Sequence, residues 1–195
     1  MNNTDKQVGI HEIYSFEIDE FDFICGPNTR GNAFIEAAAG KTKQQTPFEA
    51  IFSDKSTASL HLMLLEHVRL TSETISYPYR CDTESHCVFL RAVVSKTSTM
   101  RVGFLNKVLG YEARPTGTRL VREFVTESAD FCMCSICNRV NHNDRWIEFQ
   151  QLVETNAWPA NGKIMRTQFE ACKDCNNSIG QRIAETKRSY DRKIA

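Results

Sequence analysis

The sequence predicts an α+β protein in which a five-stranded antiparallel sheet with flanking helices precedes a small cysteine-bound module. Three observations carry this prediction. Two β-type runs open the chain, and a helical apolar period around Leu60 and Val68 gives way to a period of two from residue 74 onward. Two CxxC pairs then fall in the last third. The 195 residues suffice for one ordinary domain and a small one, because single cores usually take about 100 to 150 residues.

Residues 13–18 and 21–25, rich in Ile and Phe and separated by the acidic turn Asp19-Glu20, predict a hairpin. Gly26-Pro27-Asn28 ends the second run, and residues 33–39 read as a short helix stopped by Gly40. After the polar, turn-like segment 41–46, Pro47 offers the first turn of another short helix. Ser56 and Thr57 can cap the long helix, on which Leu60, Met63, Leu64, Glu66, His67 and Val68 share one face.

From Thr74 the side chains alternate, with Ile75, Tyr77, Tyr79 and Cys81 on one side and Arg80 and Asp82 on the other. On its own side Cys81 reads as a small buried apolar group, and Arg80 with Asp82 as an ion pair or a hydrogen bond into a turn. Pro78 cannot donate a ladder hydrogen bond, which places this strand at a sheet edge. Val88, Leu90, Ala92 and Val94 define a second strand, and Met100, Val102, Phe104 and Val108 one face of a third. Ala113-Arg114-Pro115-Thr116-Gly117 reads as a linker. The expected units are a sheet domain over 12–110, a linker over 111–129, the cysteine module over 130–180 and a C-terminal helix over 181–195.

Cys134, Cys137, Cys172 and Cys175 supply the four thiolates that structural zinc prefers in a closed tetrahedral shell. Such a shell leaves no position for water, so the expected Zn2+ is structural and not hydrolytic. The 34 residues between the knuckles exceed the usual zinc-ribbon spacing of about 15 to 20. A strand at Arg145-Trp146-Ile147 and a helix over 148–154 are expected to fill this insert, with Trp146 and Phe149 covering the metal. Cys132 is the rival ligand, and His142 reads as a solvated loop histidine.

Two strands, several short helices and then three antiparallel strands is also the element order of a PAS domain. The words Tyr77-Pro78-Tyr79-Arg80-Cys81-Asp82 and Phe89-Leu90-Arg91, with Ser53-Asp54 before the long helix, resemble a bacterial PAS-like family with a YRCD-type strand. Cys134-Ser-Ile-Cys137-Asn-Arg-Val and Trp146-Ile-Glu resemble a cysteine module found at the C-terminus of PAS-containing signalling proteins; Gln168-Phe169-Glu170 stands where that family carries Ser-His-Gly. The resemblance implies a PAS-like sensory or interaction domain, often dimeric, with a zinc-ribbon-like module. It also marks Tyr79, Arg80, Cys81 and Asp82 as a possible signalling or ligand site, without saying which ligand. His61 and His67 on the long helix read as packed or surface histidines, not cofactor ligands.

Basic and acidic residues balance at 24 each, which gives the chain no strong electrostatic pull toward nucleic acid or an anionic membrane. No signal-peptide pattern or stretch of 18 apolar residues occurs, so a cytoplasmic location is expected. Paired CxxC motifs in a reducing compartment point to metal, not disulfides. No P-loop, kinase ATP lid or nucleophile elbow occurs, so a non-enzymatic sensor or adaptor with a signalling partner or a second copy is expected. Two rivals remain. The tail cations Arg182, Lys187, Arg188, Arg192 and Lys193 fit a nucleic-acid-binding regulator, although Glu185 and Asp191 interrupt them. Cys172-Lys-Asp-Cys175-Asn-Asn resembles the second knuckle of HNH nucleases, but residues 143–195 contain no histidine to serve as base or ligand.

Overall fold

A computed structural model describes residues 13–39, 46–52, 54–82, 86–113, 122–124, 129–155 and 165–194. The polar segment 41–45, Ser53 and the linker residues 114–117 lie outside the described residues. The first sheet contains β1 (Ile13–Ile18), β2 (Ile24–Cys25), β3 (Ile75–Arg80), β4 (His86–Lys96) and β5 (Val102–Ala113). Its order is β2-β1-β5-β4-β3, antiparallel throughout. The expected five-stranded sheet is thus present, and Pro78 lies on an edge strand.

Register explains the core. Phe16 lies opposite Phe104 across β1 and β5, and their rings stack at 5.2 Å. Phe48, in a 3-10 turn over Phe48–Ile51, packs on Phe104 at 4.9 Å. The helices α1 (Thr29–Ala39) and α2 (Lys55–Thr71) contribute Ile35, Leu64 and Val68, each at most 1% exposed. Burying such side chains stabilises the fold by roughly 1.5–3 kcal/mol each.

Several local expectations shift. The second strand shrinks to two residues because Asp19 Oδ1 caps the turn, accepting from Phe21 N–H (3.0 Å) and Phe23 N–H (2.9 Å). Helix α1 begins at Thr29, four residues early, because Asn28 accepts from Gly31 N–H at 2.6 Å and starts a helix instead of ending a strand. Asp54, not Ser56 or Thr57, caps α2, accepting from Thr57 N–H at 2.7 Å. Met63 is 57% exposed while Leu65 is buried, because the apolar stripe of α2 lies slightly to one side of the expected face. Met100 sits in the turn between β4 and β5, outside the strand and 52% exposed.

The second sheet contains β6 (Arg122–Phe124), β7 (Phe131–Cys134), β8 (Val140–His142), β9 (Arg145–Ile147) and β10 (Met165–Glu170), in the order β6-β10-β7-β8-β9. Strand β10 runs parallel to both neighbours, so the module is a mixed sheet and larger than a two-knuckle ribbon. The turn Asn143-Asp144 has φ of 51° and 60°, the positive pair that a tight hairpin requires. His142 therefore ends a strand instead of lying in a loop. Helix α3 (Phe149–Glu154) buries Phe149 and Leu152 against Met133, Val140 and Phe169. Phe149 thus belongs to this separate core and does not cover the cysteines, whereas Trp146 packs on the cluster containing Cys134 and Cys172.

Some elements run across the expected unit limits. Strand β5 continues to Ala113, and β6 falls within the expected linker. Helix α4 runs from Lys173 to Ile194 without a break, so the expected boundary at residue 181 falls inside it. This helix packs on α2 and along β3. No described helix is long and apolar enough to cross a membrane.

Candidate metal centre and its contacts with the sheet

Cys134 ends β7, Cys137 follows one tight turn later, Cys172 precedes α4 and Cys175 lies in its first turn. The four sulfurs all lie within 4.8 Å of one another and can hold a metal ion such as zinc. Cys137 Sγ and Cys172 Sγ are 3.8 Å apart, and a tetrahedral shell with bonds of about 2.3 Å has edges of about 3.8 Å. The donor set therefore fits the ion. Backbone amides converge on Cys134 Sγ from Ile136 (3.4 Å), Cys137 (3.5 Å) and Cys172 (3.3 Å), as thiolate ligation requires. The N-terminus of α4 adds a favourable dipole for Cys175.

Arg139 answers the negative charge. Its Nε lies 3.2 Å from Cys137 Sγ, and Nη2 lies 3.8 Å from Cys172 Sγ and 3.1 Å from Asp174. The hydrogen bond to Cys137 is the main reason the Arg139 pKa rises. In turn Cys137 is held far below its ordinary value, first by hydrogen bonding with Cys134 and Cys175 and then by Arg139.

Cys132 shares the Cys134 side of β7 but lies two residues back, a rise of roughly 6.7 Å. It is not among the four clustered thiols, and burial, followed by Glu170, pushes its pKa up to about 12. His142, at the far end of β8, is likewise outside the cluster.

The knuckles grip the first sheet. Arg80 N–H donates to the Ile136 carbonyl at 2.7 Å, so β3 ends on the first knuckle. Asn138 is 95% buried with φ of 57°, a left-handed position that Asn tolerates. With its amide turned to satisfy both neighbours, it donates to the Cys134 carbonyl (3.2 Å) and accepts from Asp82 N–H (3.0 Å). The first turn of α2 meets both knuckles, since Thr57 and Ser135 hydroxyls are bonded and Ala171 N–H donates to Ser56 Oγ at 3.0 Å.

Of the four residues marked by the YRCD word, the structure brings together Arg80 and Asp82. Arg80 Nη2 lies 2.5 Å from Asp82 Oδ2 and Nη1 lies 2.6 Å from Glu148 Oε2. Burial works against the Arg80 charge, but Asp82 and then Glu148 raise its pKa above the ordinary value. Asp82 also accepts from Val88 N–H at 3.3 Å. Cys81 is exposed and not part of the Tyr77 and Tyr79 face, because regular strand pairing stops at Arg80. Tyr79 lines a cleft of about 380 Å³ beside the first knuckle.

His61 Nδ1 lies 2.8 Å from the Thr57 carbonyl and Nε2 lies 2.8 Å from Tyr77 Oη. The imidazole therefore donates through Nδ1 and accepts from the tyrosine. His61 keeps some accessible surface, but the ring stacks on Phe52 at 4.5 Å. That packed environment dominates, and burial pushes its pKa down to about 4. His67 bonds Thr186 of α4 at 2.7 Å, so both histidines serve packing.

Asn138, Arg139 and the Ser56, Thr57 and Ser135 contacts were not singled out by sequence reasoning. The usable signal was the Asn-Arg pair directly after the first CxxC, where a knuckle needs a left-handed residue and a counter-charge. Neither a family model, nor a curated protein, nor a solved structure matches this chain.

Proposed function

We propose that this protein is a cytosolic PAS-like sensor or adaptor in which a structural zinc ion fixes the C-terminal module against the sensor sheet, and that the joined surface serves a protein partner or a second copy. The single observation behind this reading is the grip of the knuckles on the end of β3 and the first turn of α2. A sheet of order β2-β1-β5-β4-β3 with β3 at the edge supports the PAS-like part, and the fit of four thiols to a tetrahedral shell supports the zinc. A closed shell of sulfur gives the ion a structural task. The acidic interruptions among the tail cations, with Lys193 paired to Glu73 at 2.6 Å, weigh against a phosphate-binding face.

Hydrogen exchange of the native chain with and without a zinc chelator tests the coupling. Chelation is expected to raise exchange at Arg80, Asp82 and the first turn of α2 as well as within the module. Exchange confined to the module would overturn the coupling. Native mass spectrometry of the same sample reports zinc and subunit number, and a chain purified without chelator that carries no metal would overturn the zinc assignment.

A further inference from the structure

Sheet domains with helices on one face offer an interior where a ligand can lie, but here Phe16, Phe48 and Phe104 fill that space with ring centroids 4.9 to 6.4 Å apart. The cleft outside it is different. It lies between β3 and β4 on one side and the first knuckle with α4 on the other, and its volume of about 380 Å³ falls in the range of small-molecule sites, roughly 300–1,000 Å³.

We propose that this cleft binds an uncharged, planar aromatic molecule of two or three fused rings that carries a hydrogen-bonding atom for the Tyr79 hydroxyl. Three observations carry the proposal. The lining is largely apolar and includes Tyr79, Leu90, Ile136 and Ile179, with the Phe89 ring under the Arg80 guanidinium at 5.4 Å, and aromatic rings favour flat partners. The Tyr79 hydroxyl makes no hydrogen bond to any described residue, whereas that of Tyr77, two residues earlier, is bonded to His61 at 2.8 Å. A hydroxyl beside an apolar wall and without a protein partner can donate to or accept from a bound group.

The third observation concerns charge. Two cations line the cleft, but each is already matched, Arg80 by Asp82 and Glu148 and Arg139 by Asp174 and two sulfurs. A charged ligand would have to break one of these pairs, whereas an uncharged one leaves them intact. The cleft also borders Cys137 and Cys175, so an occupant touches the knuckles directly. The site goes beyond the sensor reading and stands or falls by direct binding, independently of any signalling output.

The test is an amide-resolved NMR titration of the zinc-loaded full chain with 2-naphthol, and with the anionic 2-naphthoate as its charged counterpart. Saturable shifts are expected at Tyr79, Phe89 and Ser178 with 2-naphthol, and at least tenfold weaker binding of 2-naphthoate. Tyr79→Phe is expected to weaken 2-naphthol binding about tenfold, the effect of one hydrogen bond. Ser178→Trp, at an exposed position of α4 on the cleft rim, should abolish it, and the amide spectra of both variants report whether each is folded. Absence of saturable shifts, shifts confined to other regions, stronger binding of 2-naphthoate, or unchanged affinity in folded Ser178→Trp would overturn the proposal. So would cleft shifts that follow protein concentration alone, since these would mean that a second copy covers the cleft.

Discussion

The two five-stranded sheets are held by different physics. The first encloses a continuous apolar core in which Ile18, Val68, Val94 and Val102 have no accessible surface, and that core is shared with both helices. The second has a smaller core built around Met133, Val140 and Phe149, on a sheet with three strands of only three residues. A unit of that size rarely holds itself together by burial alone, and its four clustered cysteines can supply the remainder by holding a metal ion. The lesson is that the first sheet tolerates single losses gradually, while the second depends on a few atoms.

The sharpest way to break this contrast is to remove one ligand. Cys134→Ser should cost on the order of 5 kcal/mol or more, because zinc binding to small folded modules contributes roughly 10–16 kcal/mol. Cys132→Ser should cost about 1 kcal/mol or less. Chemical denaturation of each variant, with zinc release followed by a chromophoric chelator, checks this pair; equal losses would mean that the shell includes Cys132. Acid should release the ion too, since protons compete for the thiolates.

A loss in the first core should be smaller and indifferent to metal. Leu64→Ala, at a side chain 1% exposed, should cost about 2–5 kcal/mol, by the same amount with or without chelator. Urea titration under both conditions measures it, and a loss that vanishes on chelation would show that the first core depends on the ion.

Titration of His61 sharpens the contrast within the first core. Its folded pKa of about 4 lies below the ordinary 6.5, so the unfolded chain takes up the proton first. The stabilisation is complete above the ordinary pKa and is lost as pH falls toward 4, amounting to about 3 kcal/mol at full extent. The His61 imidazole resonances of the folded chain should stay those of a neutral ring down to about pH 4; titration near 6.5 would remove the buried assignment. The smallest effect belongs to the contact between the units, where Ser135→Ala should cost about 1 kcal/mol. Amide exchange at Thr57 should rise with it, and an unchanged rate would show that the hydroxyl pair does not restrain α2.

Most of the first sheet was legible because one face of each strand is buried, which writes a period of two into Ile75–Arg80 and His86–Lys96. Pro78 gave away its edge position for a chemical reason, the missing N–H. The start of α1 was hidden, since Gly26-Pro27-Asn28 looks like a breaker until Asn28 is seen accepting from Gly31. In the module the cluster was legible from CxxC spacing, yet β7, β8 and β10 were not. Strand β7 has cysteine at two of its four positions, β8 is too short at three residues to show a period, and the pairing of β10 with β7 joins residues more than thirty positions apart.

The position of β10 also sets an order of events during synthesis. All strands of the first sheet have been synthesised once residue 113 is added, and their pairing with neighbours along the chain allows that sheet to close early. The central strand of the second sheet arrives only with Met165–Glu170, long after Cys134 and Cys137. The nascent chain therefore passes through a stage in which a completed first sheet is followed by two thiols still awaiting their partners, and long-range parallel pairing makes that stage slow to end. Metal captured by the first knuckle during that interval would be held ready for Cys172 and Cys175.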